Sequence, residues 1–129
     1  MLPYTRILIP LDRPPFREKA FDLAFSMARD TSAELFFLRL HPNDQDEEDL
    51  YTELKSMQAQ LDDCCVPVRI EAAPGPPATA IIESAGQHRA DLIVMPGHGY
   101  AGIGREVSGN IIEQVLHHTH CASLITNEA

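Results

Sequence analysis

The chain reads as a single α/β domain, a doubly wound parallel five-stranded sheet with helices on both faces. Three observations predict this. Short apolar runs alternate with stripes of helical period along the 129 residues. The runs near Ile7, Leu35 and Leu92 are apolar on both alternating sets, as strands covered on two faces must be. Each run is separated from the next by enough chain for a crossover, and four crossovers between five strands impose parallel pairing.

Arg6-Ile7-Leu8-Ile9-Pro10-Leu11 is the first strand and ends at Asp12. Pro14 and Pro15 suit the first turn of the following helix, because proline's fixed φ fits a position whose N–H has no partner. Ala20, Leu23, Ala24, Met27 and Ala28 recur at three and four, giving that helix one apolar stripe until Asp30-Thr31-Ser32 breaks it. Ala33 to Leu40 forms the second strand, which His41-Pro42-Asn43-Asp44 stops. Leu50, Leu54, Met57 and Leu61 mark the core face of a second helix. Val66, Val68 and Ile70 alternate with Pro67, Arg69 and Glu71, so Val66 to Ala72 is a more exposed strand, and its proline assigns it to a sheet edge. Pro74-Gly75-Pro76-Pro77 turns into a third helix carrying Ala78, Ile81, Ile82 and Ala85. Ala90 to Met95 is a fully apolar central strand. Beyond a glycine-rich loop, Val107, Ile111 and Val115 mark a last helix running to about His118, and Cys121 to Thr126 closes the sheet.

Composition bounds the function. At 129 residues and 44% hydrophobic content the chain builds one core and one domain, residues 1–129. The apolar runs are too short to span a bilayer, and Met1-Leu2-Pro3-Tyr4 lacks a charged-then-apolar signal, so a cytoplasmic location is expected. Cys64, Cys65 and Cys121 form no disulfide framework and fit reduced thiols. A formal charge of −9 argues against nucleic-acid and anionic-membrane partners, which need Lys and Arg to replace counterions. Asp44, Asp46, Glu47, Glu48 and Asp49 sit where a helix begins and complement its dipole; the stretch from Asn43 to Leu54 lacks the central Gly of a calcium loop.

Met95-Pro96-Gly97-His98-Gly99, followed by Gly109-Asn110, is the segment that carries chemistry. Glycines expose backbone N–H groups and accept positive φ, so such a turn after a buried strand can wrap an anion before the next helix presents its positive end. In a doubly wound sheet, ligands sit beyond the carboxyl ends of the strands at the switch point. If the first and fourth strands are neighbours, Asp12 and the glycine loop face one crevice, with Leu40 on its other wall. Other constellations are poorer. His117, His118, His120 and Cys121 suggest a metal cluster, yet histidines at a helix C-terminus are favoured by the dipole alone. His98 has no accompanying acid, nucleophile or magnesium ligand at recognisable spacing, which leaves it a backbone-positioning role. Asp12 as a phosphoacceptor would need an acidic cluster and a late Lys, and no Lys follows Lys55.

Taken in order, these segments resemble the universal stress protein family over nearly the full chain. The resemblance rests on Tyr4 to Asp12, Ala33 to His41, Gly75-Pro76-Pro77-Ala78 through Ile81, Asp91 to Met95 with His98-Gly99 and Gly109, and His120 to Ile125. It implies an adenine nucleotide alpha hydrolase-like fold and, in nucleotide-binding members, ATP held by a loop of Gly, two residues, Gly, nine residues, then Gly with Ser or Thr. By this resemblance ATP or a related adenine nucleotide, with Mg, is the expected ligand. Pro10, Asp12, Leu40, Met95, Gly97, His98, Gly99, Gly109, Asn110 and Ile111 are its expected site. Asp12 would contact the adenosine portion, Leu40 and Met95 would border the base, and the loop and helix start would hold phosphate.

The match departs at two places. Pro96 replaces the first Gly and offers no N–H, so Gly97 must supply the close approach. Asn110 replaces the hydroxyl residue, although its amide can still donate to phosphate or cap a helix. Glu106, read within the loop, would repel a triphosphate unless Arg105 or a metal ion offsets it, and Arg13 is the other nearby cation. The expected function is a stress-response regulator, not an enzyme, with slow ATP turnover left open. A scaffold of the same fold without nucleotide is the alternative. A homodimer through Ala122 to Thr126 is expected because that apolar edge is otherwise unpaired, with an unidentified protein as further partner.

Overall fold

The computed structural model describes residues 5–11, 19–41, 51–52, 54–56, 58–59, 66–74, 76–96 and 105–126. Its strands are β1 (Arg6–Leu11), β2 (Glu34–His41), β3 (Val68–Pro74), β4 (Leu92–Pro96) and β5 (Ala122–Thr126). The helices are α1 (Lys19–Thr31), α2 (helical residues within 51–59), α3 (Pro77–Gln87) and α4 (Arg105–His118). All pairings are parallel and the order is β3-β2-β1-β4-β5, which makes β1 and β4 neighbours and puts β3 and β5 at the edges.

The sheet divides the core in two. On one face Ala20, Phe21, Ala24 and Ala28 of α1 pack on Ile7, Ile9, Leu35, Phe37, Leu92 and Val94, with Leu54 of α2 against them. On the other, Ala78, Ile81 and Ala85 of α3 join Ile111 and Val115 of α4 over Leu8, Phe36, Leu38, Leu40, Ile93 and Met95. Consecutive strand residues alternate between the two clusters, as a period of two requires. That is why the central strands are apolar throughout: all five residues of β4 are buried.

Element ends differ from expectation where backbone hydrogen bonds outrank composition. Ala33 does not open β2; its N–H donates to Ala28 O at 3.1 Å and closes α1, with Ser32 left-handed at φ 60°. β2 instead runs on to His41, paired with Pro74. β3 starts at Val68 and includes Pro74, although Pro74-Gly75-Pro76-Pro77 predicts a turn there; an edge strand tolerates a proline that donates nothing. Pro76 is the N-cap of α3 and Pro77 its first residue. Ala90 belongs to the end of α3, its N–H donating to Ala85 O at 2.9 Å, so β4 begins at Leu92 and extends to Pro96. β5 likewise begins at Ala122 and not Cys121.

The α1 stripe also needs correction. Leu23 is 37% exposed, whereas Phe21 is buried and meets Phe37 with ring centroids 6.0 Å apart. Small residues at Ala20, Ala24 and Ala28 let the helix lie close to the sheet, and Phe21 fills the flank that Leu23 was expected to cover. Leu50, Met57 and Leu61, Pro14 and Pro15, Cys64 and Cys65, and the acidic stretch from Asp44 to Asp49 lie outside the described residues.

Candidate functional site

All five strands point their carboxyl ends the same way, and the order of the sheet reverses between β1 and β4. The pairing of these two strands runs through Ile7 with Leu92 and Leu8 with Ile93. On the outer sides the ladders continue, β1 with β2 to Leu11 opposite Arg39 and β4 with β5 to Pro96 opposite Thr126. The last residues of the two central strands, Ile9–Leu11 and Val94–Pro96, therefore carry no mutual register. Pro10 and Pro96 each remove one N–H from this end of the sheet. A crevice at a switch point of this kind is the ligand position of open α/β sheets.

The structure brings four of the expected site residues to one face. Leu40, Met95 and Ile111 belong to the same core cluster, at 1%, 0% and 3% exposure. Pro10 is buried and, by alternation, shares the face of Leu8 in that cluster. At such burial these side chains are core, packed on the α3–α4 face of the sheet. Asp12, Gly97, His98 and Gly99 lie outside the described residues. The strand ends that lead to them, Leu11 and Pro96, close adjacent strands.

Two expectations about the loop are corrected. Helix α4 begins at Arg105, so Glu106 is helical and not part of the loop. Gly109 and Asn110 lie inside that helix, four and five residues past its start, so Asn110 is not its cap. Ile111 and Val115 are buried on this helix, and a helical cost of about 1 kcal/mol for Gly109 is small against that burial.

One charged group escaped the sequence reading. Arg39 is 5% exposed near the carboxyl end of β2, beside Leu40, and its guanidinium donates to the Leu40 carbonyl. The signal was visible as a lone cation inside the apolar run from Leu35 to Leu40. Only the pairing of β2 between β1 and β3 shows that this cation is enclosed.

Histidines 117 and 118 lie in the last turn of α4 with rings 6.5 Å apart. Among the described residues no group of three or more His, Cys, Asp or Glu could hold a metal ion. No described helix is long and apolar enough to cross a membrane.

Comparison with known proteins places this geometry. A relative from Methanocaldococcus jannaschii, universal stress protein MJ0531, is 28% identical over 141 residues, covering 97% of this chain and 83% of its own. Among solved structures, a universal stress protein in complex with cAMP superposes with a TM-score of 0.74 at 19% identity, covering 98% of this chain and 99% of that one. The Archaeoglobus fulgidus universal stress protein in complex with dAMP gives 0.71 at 16% identity, with 98% and 100% covered. The model of the universal stress protein family matches residues 3–127. With its five-stranded parallel sheet in the order 3-2-1-4-5 and a family match spanning nearly every residue, this chain belongs to the universal stress protein family.

Proposed function

We propose that this protein is a cytoplasmic, homodimeric regulator that binds an adenine nucleotide at the β1–β4 switch point and is not an enzyme. The observation that carries this reading is the lapse of pairing after Leu8 and Ile93, with Pro10, Leu40, Met95 and Ile111 buried in the core. An apolar core with backbone-rich strand ends suits a planar base, and the cAMP and dAMP carried by similar folds support the class of ligand. Asp12 would hold the sugar, Gly97, His98 and Gly99 the phosphates, with Mg as counter-ion where the nucleotide is ATP. Binding would act by differential affinity for two conformations or two partner states.

A second reading, a scaffold that uses the fold without nucleotide, is favoured by Pro96 and by the helical placement of Gly109 and Asn110. Equilibrium titration with a fluorescent ATP analogue, competed by dAMP and cAMP, separates the two. Nucleotide binding predicts saturation and its loss in Asp12→Ala. Gly109→Ala should raise the unfolding midpoint, as alanine does inside a helix, while weakening the nucleotide if the bare backbone is needed. No affinity at about millimolar nucleotide leaves the scaffold.

A further inference from the structure

A groove of ≈ 250 Å³ lies between the edge strand β3 and helix α3, walled by Glu71, Ala72, Ala73 and Pro74 on one side and by residues from Pro76 to Gln87 on the other. Its chemistry is one-sided. Glu71 and Glu83 contribute two carboxylates, Thr79 and Ser84 hydroxyls and Gln87 an amide, and among the described residues neither Lys nor Arg lines it. Between these polar groups the walls are aliphatic: Ala72, Ala73, Pro74, Pro76 and Ala80.

Ser84 gives the groove a specific depth. It is 6% exposed, the buried member among exposed polar neighbours, and its enclosed Oγ has no hydrogen-bond partner among the described residues. A buried hydroxyl left unsatisfied loses its hydration without compensation, and a donor reaching it from the groove would restore a hydrogen bond. Glu71 is partly committed, because its Oε2 lies 2.6 Å from His88 Nε2, but the other oxygen of that carboxylate remains for a guest. Glu83 stands on the opposite wall.

We propose that the β3–α3 groove binds a linear alkylamine, its ammonium donating to Ser84 and the Glu71 and Glu83 carboxylates while its aliphatic stem lies along the alanine and proline walls. The acceptor-rich lining demands a donor-rich cation, and a primary ammonium has three donors and no acceptor. The groove shares no lining residue with Pro10, Leu40, Met95 or Ile111, although Ala73 is the register partner of Leu40.

The test is a titration of isotope-labelled protein with 1,4-diaminobutane at about 150 mM salt, where diffuse attraction to the net negative surface is screened. Saturable amide shifts centred on Ala72, Ala73, Thr79, Glu83 and Ser84 are expected, with none for butane-1,4-diol. Glu83→Gln should weaken the amine about tenfold. Ser84→Ala should weaken it while raising the unfolding midpoint, an opposition that a merely structural hydroxyl would not produce. Equal binding of the diol, unsaturable shifts across the acidic surface, or unchanged affinity in Glu83→Gln would overturn the proposal. So would a lysine-bearing extended peptide that shifts β3 where the free diamine does not.

Discussion

Asp91 Oδ2 accepts hydrogen bonds from both the amide and the hydroxyl of Thr5, at 2.9 and 2.8 Å, across 86 residues of chain. Its Oδ1 takes the Arg6 amide at 3.1 Å, and the Asp91 amide donates to Arg6 O at 3.0 Å. One carboxylate thus fixes the entry of β1 beside the entry of β4, at the end of the sheet opposite the candidate site.

The partial burial of Asp91 pushes its carboxyl pKa up, but the hydrogen bonds from Thr5 and Arg6 outweigh this and hold it below the usual value. A depressed folded-state pKa contributes stability that is complete above the ordinary carboxylate range and is lost as pH falls through the lowered value. Asp91→Ala should therefore cost about 1–3 kcal/mol near neutrality. Urea unfolding of both proteins at about pH 7 and about pH 2 checks it, with the gap narrowing in acid.

Arg89 has φ 53° and Ser32 φ 60°, both in the left-handed region at the ends of helices. At α3, Arg89 N–H donates to Gly86 O and Ala90 N–H to Ala85 O, a helix ending that usually has glycine where Arg89 stands. Relief of about 1–2 kcal/mol of strain exceeds the added freedom of the unfolded chain, about 0.4–1 kcal/mol. Arg89→Gly and Ser32→Gly should each raise the urea midpoint, and being distant their effects should add.

Phe37 is the largest side chain in the fully buried set, with the rings of Phe21 and Phe25 at 6.0 and 5.9 Å. Phe37→Ala should cost about 3–5 kcal/mol, and Phe37→Leu distinctly less. Thermal unfolding of the two variants measures the difference; near-equal losses would show that α1 does not depend on this ring.

Ile125 is 38% exposed on an edge strand that pairs only with β4 in the described structure, and its register partner Met95 puts it on the α3–α4 face. Leu116 of α4 is also exposed, at 50%. For the proposed dimer, Ile125→Lys should give a folded monomer by light scattering with unchanged far-ultraviolet circular dichroism. A dimer that survives the charge would move the interface elsewhere.

The apolar strands, their parallel pairing and the edge position of β3 follow from the sequence, because a strand covered on two faces cannot hide its composition. The period of two and the crossover lengths set a doubly wound parallel sheet, and the adjacency of β1 and β4 came from the tertiary structure. Only tertiary structure decided the element ends, since Ala33 and Ala90 are apolar enough for strands and are claimed by helix-closing hydrogen bonds. It alone enclosed Arg39, chose Phe21 over Leu23, and drew Glu106 out of the loop into the start of the last helix. Composition is local, whereas burial and backbone pairing depend on which distant segment arrives alongside.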